Sequence, residues 1–381
     1  MNRIITIGLN TARGFASPVF NFLIAILGIK FFGKENWGTL INVMLWIFFI
    51  VFSIGWGNRE YLIRAYSKQP SKIYYAFYSN LFSRSLLLPY ALLLFIFFPK
   101  NIALLAVIMV ILMHLYNAMD SLVVYHQVFS AQLIAEVLSF TTIICGIFLS
   151  TSFNLESFLQ WYCLAFLTKI ICLIIALKLW KEKLSFTISL NELKAGASFF
   201  LLGLSGWLAS KIDVYIIDFY LPKARLSEYQ LLITAFLMLQ ALSAYLIIPF
   251  TKHLYRLSDD VVKKMQKKLY IIAVPLVSIG CFAIYIVMEY FVKLQLHSWY
   301  YCIGGLIALP SFFYTLDIMK LMKKHQERKI ILVNCIGFVV NFILILILIR
   351  TYEIYGVLLS VCISQWVTLF IYKLTDKKST I

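Results

Sequence analysis

Apolar windows of about twenty residues recur along nearly the whole chain, separated only by short polar turns. That is the length an α-helix needs to cross roughly 30 Å of hydrocarbon. Composition agrees, since 62% of the 381 residues are hydrophobic and only 13% are charged. A soluble domain carries about 25% charged residues, and one globular core cannot hide this much apolar surface. The chain therefore reads as an all-α polytopic membrane protein.

The windows predict about twelve transmembrane helices, at 14–32, 39–57, 76–98, 101–119, 129–150, 156–178, 195–219, 227–250, 269–289, 299–320, 330–349 and 356–372. A polar turn in "DSLVVYHQVFSAQLIAEVLSF" blurs the join between the fourth and fifth. Lysine and arginine concentrate in cytoplasmic connections of membrane proteins. With the N-terminus inside, 24 of the 34 basic residues fall in cytoplasmic segments and seven outside, and Arg84, Lys169 and Lys211 lie within spans. This bias predicts that both termini are cytoplasmic. Every connection is short, so the function is expected within the membrane.

The longest cytoplasmic connections follow the sixth and eighth spans. "LSFTISLNELKAG" in the first of them is expected to form a helix on the membrane surface between two halves. The turns "FFGKENWGTLINVML" and "FYLPKARLSEYQLLI" echo each other, one after the first span and one after the seventh. We therefore expect two six-helix bundles, 1–183 and 184–381, around a central cavity. An even number of spans per half makes the halves parallel repeats.

The formal charge of +17 does not indicate nucleic acid, because the basic residues sit in short loops and not on one continuous face. The N-terminus lacks the small-residue cleavage site of a signal peptide. Seven cysteines with no CxxC pair indicate neither a disulfide framework nor a zinc site. The chain has no Walker loop, HExxH, GxSxG or strand-to-helix GxGxxG. No catalytic residue, metal or cofactor is expected.

Charged residues inside spans are costly and face the bundle interior or an aqueous cavity. The candidates are Arg84, Glu136, Lys169, Lys211, Asp213, Asp218 and Asp317. Each has a plainer explanation. Arg84 and Lys169 lie close enough to a helix end to snorkel, Glu136 and Asp317 stand near cytoplasmic helix ends, and Asp218 stands near the outer interface. In "SKIDVYIID", helical spacing puts Lys211, Tyr215 and Asp218 on one face and turns Asp213 away, toward a neighbouring helix. Arg59, Arg64, Arg84, Lys169 and Lys211 would run from the cytoplasmic mouth into the bundle. Arg and Lys in such a setting suit phosphate, Arg through a bidentate fork and Lys as a point charge.

The pattern resembles the polysaccharide and O-antigen flippases of the multidrug/oligosaccharidyl-lipid/polysaccharide exporter superfamily. "FFGKENWGTLINVMLWIFFIVFSIGWGNREYLIR" is similar to their opening: Gly33 and Gly38 match the loop, Gly55 or Gly57 the helix end, and Arg59 or Arg64 the basic position. "ASKIDVYIIDFYL" resembles the start of their second half, with Asp213 at the family's aspartate. The chain departs from the family in lacking a glycine-x-tyrosine after this helix, and it is short.

The resemblance implies outward flipping of a polyprenyl-pyrophosphate-linked oligosaccharide across a bacterial inner membrane by alternating access. Arg59, Arg64, Arg84, Lys169 and Lys211 would contact substrate, and Asp213 and Asp317 would serve ion coupling. The partners it implies are the lipid-linked oligosaccharide, membrane lipids, a polysaccharide polymerase and other assembly proteins. Two alternatives stand beside it: a cation-coupled small-molecule antiporter of the same fold, and an integral-membrane polymerase or acyltransferase. The first would favour acidic lumen residues. The second wants a large external loop or an intramembrane histidine, for which only His114 is close.

Overall fold

The computed structural model describes residues 3–55, 58–183, 185–189, 204, 207–208, 211–247, 259–323 and 326–378. Among these residues the fold is all-helical. The chain divides into two compact units, Met1–Leu204 and Ser205–Ile381.

The first unit contains α1 (Arg3–Phe32), α2 (Lys34–Gly55), α3 (Asn58–Lys68), α4 (Ile73–Ser85), α5 (Leu94–Phe97), α6 (Lys100–His126), α7 (Phe129–Leu149) and α8 (Leu155–Leu177). The second contains α9 over residues 211–220, α10 (Lys223–Ile247), α11 (Asp259–Ile286), α12 (Trp299–Lys323) and α13 (Glu327–Lys378). Among the described residues, nine helical segments are long and apolar enough to cross a membrane. Helices are the form expected, because an α-helix satisfies its backbone groups where lipid offers no partner. Large side chains such as Ile96, Ile271 and Phe282 point outward, as lipid-facing positions do.

The longest segment, α13, is two helices. Glu353 interrupts it with φ 45° and ψ −131°. Ser364 Oγ donates to the Gly337 carbonyl at 2.7 Å, and Tyr372 OH to Asn334 Oδ1 at 3.4 Å. Pairs that converge in this way on the break define an antiparallel hairpin, in agreement with spans at 330–349 and 356–372.

Four features differ from the sequence expectation. The connection after the second span is a short amphipathic helix, α3, which buries Leu62 and Tyr66 against Leu122 and Val123 and exposes Arg64 and Lys68. The fourth span runs on to His126, where Gln127 turns the chain through a left-handed conformation, so the polar turn begins later than composition suggests. The third span breaks after Ser85 into 3-10 turns at Leu88–Leu93, because Pro89 has no N–H to continue the ladder. Lastly, residues 185–189 of the expected surface helix are not helical, and the Thr187 amide donates to the Ser185 carbonyl at 3.2 Å. Their Ser-Phe-Thr-Ile-Ser alternation has a period of two, not the 3.6 of a helix. Phe186 packs on Phe82 with ring centroids 4.0 Å apart, and the Ser189 amide donates to Ser83 Oγ at 2.8 Å. Residues 190–203 and the greater part of the seventh span lie outside the described residues.

Helices in lipid gain little from the hydrophobic effect and associate through close packing of small residues. A Cβ on Gly28 would stand 2.2 Å from the Trp37 ring, and one on Gly304 would stand 2.0 Å from the Phe236 ring. These glycines let α1 meet α2 and α10 meet α12. Gly28→Ala and Gly304→Ala should each destabilise the protein by about 1–3 kcal/mol, the range for overpacking. Gly8→Ala, where a Cβ meets nothing within 4 Å, should be neutral. Thermal unfolding of the purified protein in detergent checks this.

Candidate functional site

Four charged residues of the first unit, Arg13, Asp120, Glu136 and Lys169, join in one network near the turn between α6 and α7. Lys169 on α8 donates to Glu136 Oε2 on α7 at 2.9 Å. Tyr116 on α6 donates to Glu136 Oε1 at 2.6 Å. Gln132 Nε2 donates to the Tyr116 hydroxyl and to Asp120 Oδ1, at 3.1 Å each. Arg13 on α1 reaches the same Asp120 oxygen at 3.1 Å. Helical spacing builds the chain, since Tyr116 and Asp120, and likewise Gln132 and Glu136, are four residues apart on one face. The Lys169 ammonium also lies over the Tyr116 and Phe166 rings, at 5.2 and 4.9 Å from their centroids. Glu136 and Lys169 are buried, so their charges are answered within the protein. Two buried atoms beside Asp120, Arg13 Nη1 and Gln132 Oε1, have no hydrogen-bond partner among the described residues. They offer a donor and an acceptor to a water molecule or a polar ligand.

Arg84 lies elsewhere in this unit. It is fully buried, and its Nη1 donates to the Ile54 carbonyl at 2.9 Å. That carbonyl belongs to the last turn of α2, where a helix leaves acceptors unsatisfied and favours a cation. Arg84 therefore caps α2. Buried His114 stands 3.5 Å from Ser85 Oγ, next in sequence to Arg84. Arg64 is exposed on α3, and the Arg59 side chain lies outside the described residues.

In the second unit, Asp213 is buried and accepts from the Tyr229 hydroxyl of α10 and from the Val214 amide. Lys211, Tyr215 and Asp218 are half-buried on another face of α9, and Asp218 pairs with Lys223 at 2.5 Å. At the other end of the unit, Asp317 on α12 receives Lys373 of α13 at 2.6 Å and Lys320 at 3.2 Å. Gln266 of α11 donates to Asp317 at 2.9 Å, and Lys373 Nζ lies 2.6 Å from the Tyr270 hydroxyl. Asp317 is 2% exposed, so it is a buried acceptor and not a solvated helix end.

The sequence-predicted residues thus fall into separate groups: Lys169 with Glu136, Arg84 at the end of α2, Asp213 with Tyr229, and Asp317 with two lysines. Sequence reasoning missed Tyr116, Gln132, Tyr229, Gln266 and Lys373. Polar residues at i, i+4 spacing were the available signal, carried by Gln132–Glu136 inside an apolar window and by Gln266–Tyr270 at the lysine-rich edge of one. No group of three or more His, Cys, Asp or Glu side chains among the described residues is arranged to hold a metal ion.

No protein-family model matches the chain, and no curated protein matches its sequence. Solved structures do match its fold. The lipid II flippase MurJ in an inward closed conformation aligns with a TM-score of 0.76 at 18% identity, covering 96% of this chain and 86% of that one. An inward-facing multidrug resistance MATE family transporter of the MOP superfamily aligns at 0.66 and 12% identity, covering 97% and 98%. A MATE structure in the bent conformation aligns at 0.58 and 13%, covering 98% and 92%. The chain is a multi-pass membrane protein with the fold of this exporter superfamily.

Removing one partner of a buried ion pair leaves a buried charge, at a cost of about 3–5 kcal/mol. Glu136→Gln and Lys169→Met should each lower thermal stability by that order. The double variant should lose less than the sum of the two. Full additivity in a double-mutant cycle would show that the pair is not coupled.

Proposed function

We propose that this protein flips a polyprenyl-pyrophosphate-linked oligosaccharide repeat unit outward across a bacterial inner membrane, by alternating access of two six-helix halves. Both termini are cytoplasmic in this reading. The observation that carries it is the fold, whose TM-score is higher with the lipid II flippase than with the two MATE structures. Intramembrane basic residues support it, because a cationic interior offsets a pyrophosphate while the lipid tail stays in the bilayer.

The proposed substrate contacts are Arg59, Arg64, Arg84, Lys169 and Lys211, of which Arg84 also fixes the end of α2 and Lys169 is held by Glu136. Asp213 and Asp317 are the proposed ion-coupling carboxylates. The second reading, a cation-coupled small-molecule antiporter, is favoured by the MATE likeness and by carboxylates buried in both units. The enzyme reading has less behind it. It rests on the buried His114, whose Nε2 stands 3.5 Å from Ser85 Oγ.

Deletion of the gene in its host separates the first two. Complete lipid-linked repeat units should accumulate on the inner leaflet. The wild-type gene should clear them, whereas Lys211→Gln, present at normal abundance, should clear them poorly. Normal lipid-linked intermediates together with normal surface polysaccharide would overturn the flippase in favour of the antiporter.

A further inference from the structure

Tyrosines, arginines and carboxylates from four elements meet at one end of the second unit. Tyr220 ends α9, Arg225 and Glu228 open α10, Tyr300 opens α12, and Arg350 to Tyr355 form the turn of the α13 hairpin. Arg225 donates to Glu228 at 2.9 Å, and its Nε reaches Glu353 at 3.1 Å. Tyr300 packs edge-on against Tyr355 at 5.8 Å, and its phenol stands in the field of Arg225, Glu228 and Glu353. The Arg350 guanidinium lies over the Tyr220 ring at 5.8 Å.

Two observations set this end apart from an ordinary aromatic belt. Its tyrosines are joined to one another and to charged side chains, Tyr300 and Tyr352 to Tyr355 and Tyr220 to Arg350, and Phe219 packs edge-on against Tyr220 at 5.2 Å. The second observation is the backbone at Glu353. A positive φ is costly for a side-chain-bearing residue, and glycine would make the same turn without strain. Glu353 is nonetheless half exposed, with its carboxylate aimed at Arg225. An exposed ion pair adds little stability, so folding does not account for a strained glutamate there. Such outliers cluster at binding and switch sites.

We propose that Tyr220, Arg225, Tyr300, Arg350, Glu353 and Tyr355 form a saccharide-binding rim that receives the glycan portion of the cargo. The proposal rests on the flippase reading and assigns it a second contact region, distinct from the cationic residues proposed for the pyrophosphate. The chemistry matches a sugar. Tyrosine faces stack on the apolar C–H faces of pyranose rings, as aromatic faces stack on one another. Guanidinium forks and carboxylates supply the donors and acceptors that hydroxyl groups need. The distribution of basic residues puts this end on the outer side of the membrane, where an exported glycan emerges.

The test uses the full-length protein in lipid nanodiscs. The probe is the oligosaccharide released from the host's lipid-linked repeat unit by mild acid, free of lipid and of pyrophosphate. Saturation-transfer NMR and titration should detect its binding to the wild type. Tyr300→Leu and Tyr355→Leu should each weaken it about fivefold, as loss of one aromatic contact predicts. Glu353→Gly should weaken it comparably while melting at or above the wild-type temperature, because it relieves the backbone. Inorganic pyrophosphate, titrated in parallel, should bind all four proteins alike. Absence of saccharide binding to the wild type, or equal binding to all variants, overturns the rim. So does a Glu353→Gly protein that melts earlier yet binds in full, since Glu353 would then be structural. None of these results touches the flippase reading, which stands or falls on the accumulation of lipid-linked repeat units in the deletion strain.

Discussion

The contact on which the first unit depends is the buried pair of Lys169 and Glu136. Lipid neither solvates a charge nor drives helices together, so a charged residue on one helix specifies which neighbour it must face. Glu136 collects Lys169 from α8 and Tyr116 from α6. Gln132 and Asp120 then extend the chain to Arg13 on α1. Four helices are thereby fixed in register by groups that each lose more by separating than a leucine would. The glycines do the complementary work, setting how closely the helices approach once the polar groups have chosen their partners.

The second unit solves the same problem with different residues. Asp317 draws together α11, α12 and α13 through Gln266, Lys320 and Lys373. In both units a carboxylate is held by a lysine from another helix, α8 in the first and α13 in the second, with a tyrosine hydroxyl and a glutamine amide alongside. The carboxylate itself comes from α7 in one and α12 in the other. The two units thus share a way of closing a bundle and differ in which helix carries the acid. That difference fits a sequence echo confined to the turns after the first and seventh spans.

The spans were legible in the sequence because hydrocarbon thickness sets one length for every helix. The orientation of Asp213 away from Lys211 was legible too, since helical geometry fixes the angle between residues two apart. What could not be read was where each buried charge finds its partner. Arg84 looks like a pore cation in the sequence, but the carbonyl it serves belongs to Ile54, thirty residues earlier. Lys373 looks like a loop lysine next to the C-terminus, yet its ammonium reaches Asp317 and Tyr270. The run 185–189 is not helical, and its polar–apolar alternation, with a period of two, was a signal against the expected surface helix. Glu353 carried no signal at all, since glutamate seldom adopts a positive φ.

The partners of the two proposed coupling carboxylates also separate them. Both oxygens of Asp317 meet ammonium groups, so a cation arriving there has to displace a lysine, and a proton would release two. The change would be large and would loosen three helices at once. Asp213 meets a phenol and a backbone amide, both neutral. It can accept a proton or a cation without breaking an ion pair, and the consequence falls on one hydrogen bond between α9 and α10. A coupling site must change occupancy at every cycle without dismantling the bundle. On that ground Asp213 suits the proposed coupling role more readily than Asp317, whose ion pairs and hydrogen bonds hold α11, α12 and α13 together.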